Sequence, residues 1–306
     1  MKRVLLSGVG GSLFPYLFER LGAKYELFGI DSNPLLKHIY PRHAIAVAPP
    51  VSDPHYESFV SDLIVREAIE VYIPLIDEEL PKAHRLAREF PNLLLVSPRI
   101  DFVSLCLDKL SLMQRLIALE LGGSEALRAD GYKEEFAYPV FLKPICGRGS
   151  RGALKILSKA AFDAYFVLEG YAKEVVMVQP FLEGEEYSVS VVVNQDNKLL
   201  SIVPKKILQK RGITISACTQ REPAIQKLCE RIVALLQPCG SFNVQLKLHQ
   251  GVPKIFEINP RFSTTTILSM EAGVDEFALM IEGANQVCDF QEGVHIFRRW
   301  ESHFYV

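Results

Sequence analysis

Glu257 and Asn259 stand two residues apart in the run Phe256-Glu257-Ile258-Asn259-Pro260-Arg261, alternating with apolar Phe256 and Ile258. On a strand, residues at this spacing point to one face. Both offer hard oxygen donors, which suit Mg²⁺ or Mn²⁺. Far upstream, Lys143-Pro144 leads into the loop Cys146-Gly147-Arg148-Gly149-Ser150-Arg151-Gly152. A lysine followed by a glycine-rich basic loop suits the phosphates that such a metal bridges. The two segments read as opposite ends of one ATP site.

Each segment taken alone has a plainer reading. Lys143 ends the apolar run Val140-Phe141-Leu142, where burial is costly unless the ammonium meets an anion; a solvent-facing lysine fits equally well. The glycines at 147, 149 and 152 permit close approach of backbone to a ligand, yet they also suit a hairpin turn. The Gly-Lys-Ser/Thr of a P-loop is absent from this loop. In Gln179-Pro180-Phe181-Leu182, irregular backbone can serve adenine, Pro180 accepting through its carbonyl and Leu182 donating its N–H. Glu186 can accept from two ribose hydroxyls, or belong to a solvated acidic turn. Asn243 and Gln245 share one strand face, and Glu257 and Asn259 share another. If those strands pair, four oxygen-bearing side chains converge.

The elements that must position these residues are legible as patterns. Apolar runs at 4–6, 27–30, 44–47, 71–75 and 93–96 read as buried strands, with helices near 12–21, 53–70 and 77–90. Strands alternating with helices imply a parallel sheet covered on both faces. A helix at about 104–121 follows. Strands at 140–142, 154–157, 175–178, 187–193, 199–203, 242–248 and 254–258, with a helix at 221–236, then suggest antiparallel α+β structure. The expected class is α/β followed by α+β.

A chain of 306 residues accommodates two domains. Its formal net charge of -2 gives no electrostatic reason to expect nucleic acid as a partner. No apolar run reaches membrane-spanning length, so no membrane partner is expected. The apolar start at Val4-Leu5-Leu6 ends at Ser7-Gly8, which favours a core strand over a leader peptide. The six cysteines form no CxxC pair, which points to a reducing compartment and a cytoplasmic location.

In order and spacing, these motifs resemble the ATP-grasp superfamily, closest to the carbamoyl-phosphate-synthetase-like carboxylate ligases. The resemblance implies a Rossmann-like pre-ATP-grasp domain over residues 1–103 and a two-lobed ATP-grasp domain over 104–306. The small flap lobe would span about 112–182 and the large lobe about 183–306. Lys109 and Lys143 would reach ATP phosphates beneath the loop containing Gly147, Gly149 and Ser150. Gln179, Pro180 and Leu182 would form the adenine hinge, with Glu186 on the ribose. Gln245, Glu257 and Asn259 would hold Mg²⁺, with Arg261 beside them. Phe297-Arg298-Arg299-Trp300-Glu301 resembles the closing strand of small members. Two positions depart from many relatives: Gln179 stands for a glutamate, and Gln245 for an acid.

The implied activity is ADP-forming ligation of a carboxylate to an amine through an acyl phosphate, with Lys143 and Arg261 in catalytic positions. Gly10 and Gly11, in Gly8-Val9-Gly10-Gly11-Ser12, could hold a substrate carboxylate at a helix N-terminus. Lys205, Lys206 and Arg211 could hold an anionic substrate or form a basic surface loop. The alternatives are a non-catalytic ATP-binding regulatory protein, an ATP-grasp kinase, and an NAD(P)-dependent oxidoreductase. The oxidoreductase reading uses the same glycines with Asp31 about 20 residues on, but Leu13 stands where its third glycine belongs. A homodimer is the self-association considered.

Overall fold

The fold, taken from a computed structural model, is described for residues 1–40, 43–299 and 301–304. The N-terminal part alternates β1 (Arg3–Ser7), α1 (Phe14–Gly22), β2 (Glu26–Asp31), α2 (Leu36–Ile39), β3 (Ala44–Val47), α3 (Tyr56–Arg66), β4 (Val71–Ile73), α4 (Leu80–Glu89) and β5 (Leu94–Leu95). The five strands pair in parallel in the order β3-β2-β1-β4-β5. Along β1, Val4 and Leu6 pack with Leu17 and Leu21 of α1, while Leu5 packs with Val60 and Leu63 of α3. This two-sided burial explains why the strands read as continuous apolar runs. The helix expected at 77–90 begins instead as a 3₁₀ turn, Asp77–Glu79, and becomes α-helical where Pro81 fits the first turn.

The helix expected at 104–121 is two helices, α5 (Ile100–Leu107) and α6 (Lys109–Ala118). Asp108 breaks the run with a non-helical backbone, and its side chain accepts the Ser111 N–H at 2.8 Å. Lys109 therefore opens α6. Leu112 and Leu116 pack with Tyr187, Phe242 and Leu246. Residues from 112 onward thus begin inside the core of the large lobe, and the small sheet starts only at Leu127.

That small sheet contains β6 (Leu127–Arg128), β7 (Val140–Pro144), β8 (Leu154–Ile156) and, after α7 (Lys159–Glu169), β9 (Val176–Pro180), in the order β6-β9-β7-β8. The large sheet is built from β10 (Glu185–Val193), β11 (Leu199–Arg211), β12 (Ile213–Thr219), then α8 (Pro223–Leu236), β13 (Phe242–His249) and β14 (Val252–Asn259). Two short helices, α9 (Thr266–Glu271) and α10 (Glu276–Ile281), precede β15 (His295–Phe297). Its order is β14-β13-β10-β11-β12-β15, with antiparallel pairing throughout. The expected closing strand at 297–301 falls partly on β15, and Trp300 lies outside the described residues.

Apolar packing is continuous from the parallel sheet into the large lobe. Val4, Leu6 and Phe14 share one core with Val192, Leu200, Val203, Phe262 and Phe277. This continuity fixes the loops after β1, β2 and β4 opposite the end of β14.

Candidate functional site

The pairing of β13 with β14 puts Gln245 directly opposite Glu257 and Asn243 opposite Asn259. Ser188 on β10 lies opposite Gln245 and extends the polar face. The four side chains expected to share a face do so. Their surroundings differ. Gln245 and Glu257 border a cavity also lined by Lys109, Lys143 and Lys210. Asn243 is buried, accepts the Ser188 hydroxyl at 2.8 Å, and leaves its Nδ2 without a partner among the described residues. Asn259 is buried beside it.

Two lysines converge on Glu257. Lys109 donates to the Gly147 carbonyl at 2.5 Å and lies 3.6 Å from Glu257 Oε1. Lys143, carried by β7, donates to the Phe256 carbonyl at 2.6 Å. Burial pushes Lys143 down to about 8, with Lys109 and Lys210 adding to the effect and Glu257 opposing it. Two ammonium groups facing one carboxylate leave the cavity in need of negative charge, which a polyphosphate would provide. The loop at 147–152 covers this cavity, with Ser150 and Arg151 in its lining. Gly152, at φ +65°, ties the loop down by accepting from the Tyr165 hydroxyl at 2.6 Å.

An adjoining hollow shares Lys143, Phe141, Phe256 and Lys210 with the first. Gln179, Pro180, Phe181, Leu182 and Glu186 complete much of its wall. Phe181 donates its N–H to Pro139 at 3.2 Å and so continues the sheet past β9. Gln179 is buried, and its Nε2 has no partner among the described residues. A planar heteroaromatic base with ring-nitrogen acceptors matches such a slot. Glu186 accepts from Lys210 at 2.7 Å and from Lys247 at 3.1 Å. Burial works to raise its carboxyl, but the two lysines outweigh burial and hold it below the usual range.

Lys210, Lys247, Phe141 and Phe256 were not singled out from the sequence as site residues. Lys247 had a usable signal, since it follows Gln245 by two on one strand. Lys210 had none, because register shifts around Gln209 decide which way it points.

Beyond Arg261 lies a larger, open cavity between the N-terminal loops and the large lobe. Arg261 donates from Nε and Nη2 to the two oxygens of Asp77, at 2.5 and 3.0 Å. Burial works against the guanidinium charge, but Asp77 outweighs it and the pKa is raised. On the same turn, Glu78 accepts from Arg148 at 2.7 Å.

Five expected substrate residues need correction. The Gly10 N–H already donates to Asp31 at 2.9 Å, and the Gly11 N–H to the Gly8 carbonyl at 3.0 Å, so neither is free for a carboxylate. Helix α1 starts later, at Phe14. Lys205 is fully buried and donates to Ser190 at 2.6 Å and Ser269 at 2.9 Å, with Glu276 at 3.8 Å. Lys206 alternates to the opposite face of β11, opposite Tyr187, and pairs with Glu185. Arg211 stands exposed at the tip of the β11–β12 hairpin.

The donor chemistry fits a hard cation that shares its ligands with phosphates. Glu257 is the sole carboxylate of the expected trio, and no group of three or more His, Cys, Asp or Glu side chains suited to a metal occurs among the described residues. Mg²⁺ is commonly held by one or two carboxylates plus phosphate oxygens and water, so this set suits a nucleotide-borne cation rather than a protein cage.

Fold and site together define a four-stranded and a six-stranded sheet that meet at a lysine-lined cavity, joined to a parallel-sheet unit. A family model described as "ATP-grasp in the biosynthetic pathway with Ter operon" matches residues 172–300. The carbamoyl phosphate synthase large chain of Thermomicrobium roseum is 25% identical over 167 residues, 50% of this chain and 15% of that protein. The D-alanine–D-alanine ligase of Corynebacterium aurimucosum is 34% identical over 84 residues, 28% of this chain and 24% of that protein. The chain therefore spans less than a quarter of the length of these curated relatives.

Among solved structures, N5-carboxyaminoimidazole synthetase from Staphylococcus aureus, complexed with ADP, superposes with a TM-score of 0.76 at 16% identity, covering 96% of this chain and 80% of that one. The biotin carboxylase domain dimer of Hydrogenobacter thermophilus 2-oxoglutarate carboxylase, in complex with MgADP, ADP and bicarbonate, gives 0.74 at 15% identity, covering 95% and 71%. The resemblance to ATP-grasp proteins drawn from the motifs is borne out. Residues 172–300 carry the family pattern, and the fold is the ATP-grasp fold.

Proposed function

We propose that this chain is an ATP- and Mg²⁺-dependent, ADP-forming ligase that activates a small-molecule carboxylate as its acyl phosphate for attack by an amine. The observation that carries this reading is the convergence of Lys109 and Lys143 on the Gln245–Glu257 pair, at the junction of a base-sized hollow and a large second cavity. A phosphoryl donor can span the first two spaces while a substrate occupies the third. The relatives support the reaction class, since one curated relative is described as a ligase, the other as a synthase, and the Staphylococcus aureus structure as a synthetase.

In this reading Gln179, Pro180 and Leu182 recognise adenine and Glu186 the ribose. Lys109, Lys143 and the loop bearing Gly147, Gly149 and Ser150 hold the phosphates. Gln245, Glu257 and Asn259 would hold Mg²⁺, which would supply positive charge against the phosphates. Arg261 faces the acyl side. No covalent intermediate on the protein is needed, because positioning and charge neutralisation drive phosphoryl transfer. The parallel-sheet domain serves as the Rossmann-like partner domain and forms one wall of the substrate cavity.

The test is calorimetric titration with MgATP, followed by ADP release across a panel of carboxylates paired with amines. Binding together with acceptor-dependent ADP release and an amide product supports the proposal. Binding without turnover across the panel would favour a regulatory protein, a phosphorylated end product a kinase, and binding of NAD(P) alone an oxidoreductase. Sedimentation with and without MgADP reports whether the chain self-associates.

A further inference from the structure

Three consecutive acids, Asp77-Glu78-Glu79, form the short turn after β4 and serve three different bodies. Asp77 grips Arg261 of the large lobe, Glu78 pairs with Arg148 of the flap loop, and Glu79 turns inward. Glu79 is fully buried and accepts from the hydroxyls of Tyr56 at 2.5 Å, Tyr72 and Ser7. Ser7 also accepts the Leu75 N–H at 2.9 Å, which fastens the start of the turn to the end of β1.

We infer that Asp77 is a positioning residue for Arg261, so that the N-terminal domain, not the ATP module, sets the direction of the arginine at the phosphoryl-transfer end of the site. This inference rests on the ATP-dependent reading given above. A guanidinium has five N–H donors. On Arg261, Asp77 takes one from Nε and one from Nη2, and the Phe262 carbonyl takes one from Nη1 at 3.1 Å. One N–H therefore remains on each terminal nitrogen, and Arg261 borders the large cavity. A side-on bidentate contact fixes the plane of the guanidinium as well as its place. Asp77 itself is only 6% exposed, and the Glu79 anchor two residues on limits how far it can shift. The remaining N–H pair is thus held in a set orientation beside the large cavity, as transfer between two bound groups would require.

The test compares wild type with D77N and D77E. The Arg261 Nε–H resonance, assigned by its absence from R261K, reads the contact in nucleotide-free protein. Calorimetry reads MgADP affinity, and orthovanadate titrated into the MgADP complex reads anion capture at the transfer position. The expected result for D77N is a displaced, fast-exchanging Arg261 signal, MgADP affinity within about twofold of wild type, and vanadate affinity lower by about tenfold or more. D77E restores most of both the signal and the vanadate affinity. Should D77N not fold, D77S takes its place, since it also removes the carboxylate. An unchanged signal and vanadate affinity in D77N would overturn the inference. So would tighter vanadate binding, which would make Asp77 a competitor for Arg261, or an equal loss of MgADP and vanadate binding. Wild type that binds no MgADP would overturn the nucleotide reading itself, whereas wild type that binds it alongside an unaltered D77N overturns only the role of Asp77.

Discussion

The ammonium of Lys109 lies 3.6 Å from Oε1 of Glu257, joining the first turn of α6 to the strand that ends the chain's polar sheet face. Glu257 is the only carboxylate in its expected metal set, so Glu257→Gln removes one negative charge with almost no change of shape. ATP-dependent turnover should fall by at least about 100-fold. The circular dichroism spectrum should stay as in wild type. Retained turnover in this variant would move the metal site elsewhere.

Under the proposed function, Lys143 should link proton uptake to nucleotide binding. Its pKa of about 8 reflects burial first, then Lys109 on α6 and Lys210 on β11, against the pull of Glu257 on β14. Part of the population is therefore neutral at pH 8. Phosphates raise the pKa by stabilising the charged form, so MgADP binding should take up protons near pH 8 and cease to do so near pH 6, where Lys143 is already charged. Calorimetry in two buffers of different ionisation enthalpy measures this directly. Lys143→Arg should abolish the uptake.

Under the proposed function, Gln179 should set stability against binding. Its buried Nε2 has no partner among the described residues, and an unmet donor of this kind costs about 1–3 kcal/mol. Gln179→Leu should therefore raise the melting temperature of the nucleotide-free protein while weakening MgATP binding by roughly tenfold. A melting temperature that falls in step with affinity would show that the amide supports the fold rather than the ligand.

Gly152→Ala probes the flap. A Cβ at this residue would lie 2.5 Å from Cε2 of Tyr171, and the backbone sits at φ +65°. The substitution should cost about 1–3 kcal/mol and be felt locally, as faster proteolysis within 147–152. Gln179-side contacts, and hence binding of adenosine alone, should be little affected.

Much of this architecture was legible because alternation and helical spacing survive into the folded state. Val4, Leu5 and Leu6 announced a doubly covered strand, and Glu257 and Asn259 announced a polar sheet face. What escaped had weak or tertiary signals. Helix α7 is bracketed by Ser158, which accepts the Ala161 N–H at 3.3 Å, and by Gly170 at φ +72°. Both caps were present in the sequence, but no long apolar stripe accompanied them. The basic residues at 205–211 looked equivalent, yet strand alternation and bulges send Lys205 inward, Lys206 to the far face and Lys210 to the site. Asp77 could not have been chosen from Asp77-Glu78-Glu79, because its partner lies 184 residues away.

The apolar packing that runs from Leu6 and Phe14 to Val192, Phe262 and Phe277 has an evolutionary corollary. A gene fusion or domain exchange that cut near residue 100 would strand a greasy face on both products. The new partner would have to match Phe262 and Phe277 in shape before any active-site geometry mattered. A new cavity shape is therefore more accessible through point changes in the rim at Pro49–Ser52, which lines the large cavity, than through shuffling of the N-terminal module.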